Sequence, residues 1–227
     1  MRTRVYIILC LAWMVAGVAF SQQETDGIRI ISYNIWYDNP GNTGNTWSDR
    51  REDLKKSIVV INPAIVSVQE ALAHQVADLE SLGFAAFGAG RDDGKQAGEH
   101  TAIFYRPERF SLAEGGNFWL SPWPDSIGSI GWNAMLPRIA TWVRLEDRQS
   151  GASFYVFNTH FSHVGDTARL ESARLLMRQI ERIAGASPVI LTGDFNCRKG
   201  SPPYDAINHS MKDARYSSPQ TRIPDPA

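Results

Sequence analysis

Five polar residues stand at the ends of β-rich or apolar runs: Asn34 in ISYNIW, Glu70 in IVSVQE, His160 in FNTHF, and Asp194 with Asn196 in LTGDFN. One such residue is what a turn needs, since Asn, Asp and Gly favour turns for local backbone reasons. The same arrangement four times over implies strand ends converging on a common polar site, with rigid strands aiming the groups. Glu, Asp and Asn offer hard oxygen donors of the kind Mg²⁺ takes: one or two carboxylates, with waters left over for a substrate phosphate. His can donate a hydrogen bond to charge developing on a transferred group. The Cys/His spacing of a zinc site is missing. So is the Gly-x-Ser-x-Gly of a nucleophile elbow.

The elements that must position these groups follow from local pattern. GIRIISYN reads as a strand ending on Asn34, followed by a Gly/Asn loop with Ser48 as the expected N-cap of a helix. That helix runs through DRREDLKKSIVVI, with Leu54, Ile58 and Ile61 as its apolar face. AIVSVQE is a short buried strand ending on Glu70, HQVADLESLG a helix stopped by Gly83, and GAGRDDGKQAGEH a long polar loop before the strand TAIFYR. Two β-rich runs flank DRQSG and predict a hairpin whose second arm delivers His160. DTARLESARLLMRQIERIAG is the clearest helix, with Ala173, Leu176, Ile180 and Ala184 at helical spacing and Gly185 as its stop. No internal repeat or linker divides the chain. Hairpins mixed with strand–helix units predict two sheets packed face to face with helices outside.

The first residues stand apart. A basic start, MRTR, precedes the apolar run VYIILCLAWMVAGVAF and a small-x-small pattern ending at Ser21. This is the anatomy of a signal peptide, and the run falls short of the roughly 20 residues a spanning helix needs. Residues 1–21 are therefore expected to be a cleaved leader, and residues 22–227 one secreted or periplasmic domain with no membrane span. Cleavage removes Arg2 and Arg4, leaving 21 basic residues against 24 acidic ones, a formal charge of −3. No Lys/Arg-rich run provides the basic stripe that phosphate-tracking proteins usually carry, so nucleic acid is not a favoured partner. Cys197 alone remains, which excludes an intramolecular disulfide and fits a small filler better than a nucleophile.

ISYNIW, IVSVQE, FNTHF and LTGDFN, in this order, resemble the endonuclease/exonuclease/phosphatase superfamily of deoxyribonuclease-like phosphoesterases. TWSDRRED, DDGKQAGEHTAIFYR and WNAMLPRIATW further resemble its exported bacterial branch. The resemblance implies an α/β fold, a four-layered α/β/β/α sandwich, with the site at one end of the paired sheets. It implies Mg²⁺ (or Mn²⁺) as cofactor, with Glu70 as main metal ligand and Asn34 beside it in the metal's shell. Asp194 would orient and deprotonate the attacking water, and Asn196 and His160 would stabilise the transition state. Arg138, in LPRIA, would clamp the phosphate. His163, in FSHVG just past His160, is a further substrate-contact candidate.

Members of the superfamily end on a Ser-Asp-His motif that this chain does not show, so the fold is expected to lack its last strands. The function implied is metal-assisted water attack on a phosphate mono- or diester, in a small-molecule or lipid-linked substrate, with no stable protein partner. Two rivals remain: a secreted nuclease, and a catalytically inactive binding module on the same scaffold. Three groups have plainer expectations: His74 solvated, the Glu99–His100 pair structural, with lining of the cleft as its alternative, and Tyr105 a support behind the site.

Overall fold

The computed structural model describes residues 27–217. The leader expected at residues 1–21 and the tail from residue 218 lie outside it. The described residues form two four-stranded sheets. The first contains β1 (Ile30–Asn34), β2 (Ile65–Gln69), β3 (Ala85–Phe87) and β4 (Ile103–Tyr105), in the order β1-β2-β4-β3. The second runs in sequence through β5 (Phe110–Trp119), β6 (Ile139–Asp147), β7 (Ser153–His160) and β8 (Val189–Asp194). Around them lie α1 (Trp47–Ile61), α2 (Ala73–Glu80), α3 (Asp166–Ala184), α4 (Pro202–Asn208) and α5 (Ala214–Ser217). Among the described residues no strand follows β8.

Three apolar clusters separate four layers, which is the α/β/β/α sandwich. Trp47, Leu54, Ile58 and Leu79 of α1 and α2 pack on Val66, Val68 and Phe104 of the first sheet. Ile65, Ile103, Phe110, Val143, Leu145 and Val156 fill the space between the sheets. Ala173, Leu176, Ile180 and Ala184, the α3 stripe legible in the sequence, meet Tyr155 and Phe157 on the far side. β2 is buried along its whole length because both of its faces are covered.

Two local expectations are corrected. Helix α1 begins at Trp47 with Thr46, not Ser48, as its N-cap; the Asp49 carboxylate accepts the Thr46 backbone N–H at 2.8 Å. Ile61 is 43% exposed and outside the apolar face, because it is the last helical residue before Asn62, in the left-handed region, turns the chain toward β2. The tryptophans mostly anchor: Trp47 and Trp119 are buried, and Trp142 packs against Tyr155 and Phe157.

Polar groups also cross between the sheets. The Gln69 amide donates to Asn158 Oδ1 at 2.7 Å, and the Asn158 amide donates to the carbonyls of Val68 and Ala102 at 2.8 and 3.1 Å. These fully buried groups are satisfied, so they lock the register of one sheet on the other next to the strand ends.

Candidate active site

Strand direction decides which ends meet. β1 and β2 are parallel, with Asn34 opposite Gln69, and β7 and β8 are parallel, with His160 opposite Asp194. The sheets stack so that β1 and β2 lie against β8. All four strands therefore present their C-terminal ends at one edge of the sandwich. The Asn34 amide donates to Glu70 Oε1 at 2.8 Å and to Asp194 Oδ2 at 3.0 Å. His160 Nε2 stands 4.0 Å from Glu70 and 3.8 Å from Asp194. Asn196 completes the group: its backbone N–H reaches Asp194 Oδ1 at 3.1 Å, and its amide reaches His160 Nε2 and the Phe161 carbonyl, each at 3.1 Å. The five residues expected to converge do so.

Three non-glycine residues of this edge have left-handed backbone: Trp36 (φ 58), Glu70 (φ 65) and Asn196 (φ 45). Asn tolerates that region, while a glutamate held there costs of order 1 kcal/mol. The strain turns the Glu70 side chain off the end of β2 into the cleft. Glu70→Gly and Glu70→Ala both delete the carboxylate, but only glycine relaxes the backbone. Glu70→Gly is expected to be more stable than Glu70→Ala by about 1 kcal/mol in chemical denaturation. Equal stabilities would show that the strain is not there.

Antiparallel strands bring other residues to the same edge. β6 runs against β7, so Arg138, just before β6, arrives beside His160. It is buried, and its Nη2 donates to His163 Nδ1 at 3.0 Å, leaving His163 exposed at the mouth. Burial and the neighbouring charge of Arg91 bring the Arg138 pKa down to about 10. The same antiparallel logic corrects Tyr105. β4 opposes β2 and pairs Tyr105 with Ile65, so the tyrosine sits in the core at the far end of the sheet, not behind the site.

Glu99 and His100 are separated by the alternation of extended backbone. His100 is buried, with Nδ1 3.2 Å from the Ala71 carbonyl, a structural position. Glu99 turns the other way into the cleft, where it pairs with Arg91 at 2.7 Å and lies 3.8 Å from His160 Nδ1. Burial raises its pKa despite Arg91 and Arg138. Glu99 takes the cleft-lining role that the sequence left open to the pair, while Arg91 was missed; two opposite charges bracketing a glycine-rich loop were the available signal. His74 is exposed, as expected, and its Nε2 lies 3.0 Å from Asp38 Oδ2.

Burial, then Arg138, depress the His160 pKa to about 3, so the imidazole is neutral. In the unfolded chain it takes up a proton below about 6.5. The folded state therefore loses stability as pH falls from about 6.5 toward 3, by up to about 1.4 kcal/mol per unit. Glu99, raised in the fold, acts in the opposite sense, so the variant comparison isolates the histidine. His160→Gln should flatten the acid side of the stability–pH curve; parallel curves would mean that His160 is protonated in the fold.

The donor set suits a hard divalent cation. Glu70 and Asp194 are two carboxylates sharing one carboxamide, and their side chains keep 19% and 32% exposure, room for ion-bound water. No cluster of three or more His, Cys, Asp or Glu suited to a metal occurs among the described residues. Few protein ligands and several waters is how Mg²⁺ is commonly held. Beside Asn196 a cavity of about 510 Å³ opens between the start of α3 and the β8–α4 loop, lined by Thr167, Arg169, Cys197, Arg198 and Ser201 among others. Burial raises the Cys197 pKa, which keeps the thiol protonated and unreactive.

Residues 31–226 match the family model described as Endonuclease/Exonuclease/phosphatase family. The structure is similar to that of an endonuclease/exonuclease/phosphatase from Bacteroides vulgatus, 41% identical, with a TM-score of 0.78 over 80% of this chain and 70% of that one. It is also similar to the mannosyl-6-phosphatase of Bacteroides thetaiotaomicron, 38% identical, with a TM-score of 0.77 over 80% of this chain and 70% of that one. Nocturnin of Drosophila melanogaster is 26% identical over 85% of this chain and 32% of its own length. The chain spans between about a third and a half of the length of the curated relatives it matches.

Proposed function

The chain belongs to the endonuclease/exonuclease/phosphatase family, and on that premise we propose that it is an exported, divalent-metal-dependent phosphoesterase acting on a small or lipid-linked phosphoester. The observation that carries this reading is the meeting of Asn34, Glu70, His160, Asp194 and Asn196 through contacts of 2.8 to 4.0 Å. Mg²⁺ or Mn²⁺ held by Glu70, with Asn34 beside it, would neutralise phosphoryl charge and lower the pKa of bound water. Asp194 orients the attacking water and takes its proton. Its Oδ2 is fixed by Asn34 and its Oδ1 by the Asn196 backbone, so the carboxylate is preorganised. Asn196 and neutral His160 hydrogen-bond the charge that builds on the phosphoryl oxygens. Arg138 clamps the phosphate, and His163 contacts substrate at the mouth. The cavity beside Asn196 gives the alcohol side of a small ester its place.

The test is hydrolysis of p-nitrophenyl phosphate and bis-(p-nitrophenyl) phosphate, with added Mg²⁺ or Mn²⁺ and with chelator. Metal-dependent release of p-nitrophenol is the expected result. A folded protein that binds the ion and hydrolyses no phosphoester would overturn the reading in favour of a binding module. Cleavage of DNA in preference to both small esters would favour a nuclease. Export rests on the leader-like residues 1–21, and N-terminal sequencing of the exported protein should read from Gln22; an uncleaved start would count against it.

A further inference from the structure

Behind His160 the cleft ends in a niche of about 10 Å³, bordered by Glu70, Arg91, Glu99, Arg138 and Ile139. That is the room of about one water-sized oxygen. Arg91 and Arg138 are 93% and 96% buried, being 7% and 4% exposed. Arg91 Nε and Arg138 Nε and Nη1 have no hydrogen-bond partner. Buried donors left unpaired are costly, and guanidinium donors more so. The pairing of Arg91 Nη1 with Glu99 accounts for one nitrogen, and Asp92 Oδ1, 3.9 Å from Arg91 Nε, is an ion-pair neighbour beyond hydrogen-bond reach, so these three donors stay without a hydrogen bond.

The loop that carries Arg91 is built to hold it. The Arg91 backbone N–H donates to the Glu99 carbonyl at 3.1 Å, and its carbonyl accepts Trp119 Nε1–H at 2.7 Å. The turn between closes through Asp93 Oδ1, which accepts the N–H groups of Lys95 and Ala97 at 2.7 and 2.9 Å. At Gly90 a Cβ would sit 2.2 Å from the Ala97 carbonyl oxygen, so only glycine lets the loop close this tightly. Such cinching fixes a guanidinium before any ligand arrives, which lowers the ordering cost of binding.

We propose that Arg91 is a second phosphate-gripping residue, and that the Arg91–Arg138 pair selects terminal phosphate, that is phosphomonoesters, over diesters. The inference rests on the phosphoesterase reading above. The cleft offers three sets of groups for phosphate oxygens: the Glu70–Asn34 side through the ion it would hold, the Asn196–His160 pair, and the niche of Arg91 and Arg138. A phosphomonoester has three terminal oxygens, one for each set, and carries up to two charges near neutral pH. A diester has two terminal oxygens and one charge, so one donor set stays unpaired, the kind of mismatch that discriminates strongly.

Two measurements on wild type and Arg91→Gln test this: kcat/KM on p-nitrophenyl phosphate against bis-(p-nitrophenyl) phosphate, and calorimetric binding of inorganic phosphate in the presence of Mg²⁺. Loss of a charge-assisted contact should lower monoester kcat/KM and phosphate affinity about 10- to 100-fold, with the diester rate falling far less. Equal losses on both esters with unchanged phosphate affinity would reduce Arg91 to a counterion for Glu99. If wild type hydrolyses neither ester, the phosphoesterase reading fails, and phosphate affinity alone then decides whether Arg91 grips the anion. Arg91→Lys keeps the charge beside Glu99 but loses the fork. It should show the same narrowing of monoester preference even if Arg91→Gln folds poorly, and wild-type discrimination in it would overturn the proposal.

Discussion

Asp194→Asn is expected to lower kcat by about 10³-fold, the range for removing a positioned general base, while the protein stays folded and still binds the metal. The substitution keeps the shape of the side chain, so the Asn196 N–H at 3.1 Å retains an acceptor. What goes is the ability to take a proton from water. One contact changes: with the oxygen kept at the Oδ1 position for Asn196, the Asn34 amide, 3.0 Å from Oδ2, meets a second amide. Asp194 is partly exposed, so that loss costs little stability. The measurement is kcat against thermal unfolding and Mg²⁺ titration on the same preparations. A kcat within threefold of wild type would remove Asp194 from proton transfer.

Glu70→Gln should weaken Mg²⁺ or Mn²⁺ binding by about 10²-fold or more, since even supporting residues of metal sites typically cost 10- to 100-fold. Glu70 is the carboxylate on the first sheet of this cleft, held by the Asn34 amide at 2.8 Å and near the Tyr37 N–H at 3.3 Å. Glutamine keeps one of those bonds, since its single oxygen can face only one of the two donors, and removes the charge that a hard cation needs. The two substitutions should separate: Glu70→Gln raises the metal concentration needed for half-maximal rate, and Asp194→Asn lowers the rate at saturating metal. Unchanged affinity in Glu70→Gln would take Glu70 out of the metal site.

The strands and the groups at their ends were readable because both signals are local. Apolar runs followed by Asn34, Glu70, His160 and Asp194–Asn196 need no knowledge of the rest of the chain, and neither does the α3 stripe from Ala173 to Ala184. Errors appeared where local chemistry was ambiguous, as at Thr46 against Ser48. They also appeared where burial depended on a neighbouring layer, as at Ile61. Tyr105 and Arg138 show the larger limit. Both flank strands, but pairing direction puts one at the far end of the sandwich and the other in the cleft. Direction is a property of strand partners distant in sequence, so no local pattern contains it.

By itself, then, the sequence determined most of the elements (β3 and β5 were not read from it), the four polar strand ends and the chemistry those residue types can perform. Tertiary structure decided which ends share an edge, because that follows from parallel β1–β2 and β7–β8 pairs stacked with β1 and β2 on β8. It also decided that the Glu99 carboxylate pairs with Arg91 beside His160 while the His100 ring, at the wall of the same niche, is held by the Ala71 carbonyl. Finally, it brought Arg91 beside Arg138 across 47 positions of chain. Two like charges share one buried niche because the fold also places the carboxylates of Glu99 and Glu70 beside them, which offset the repulsion.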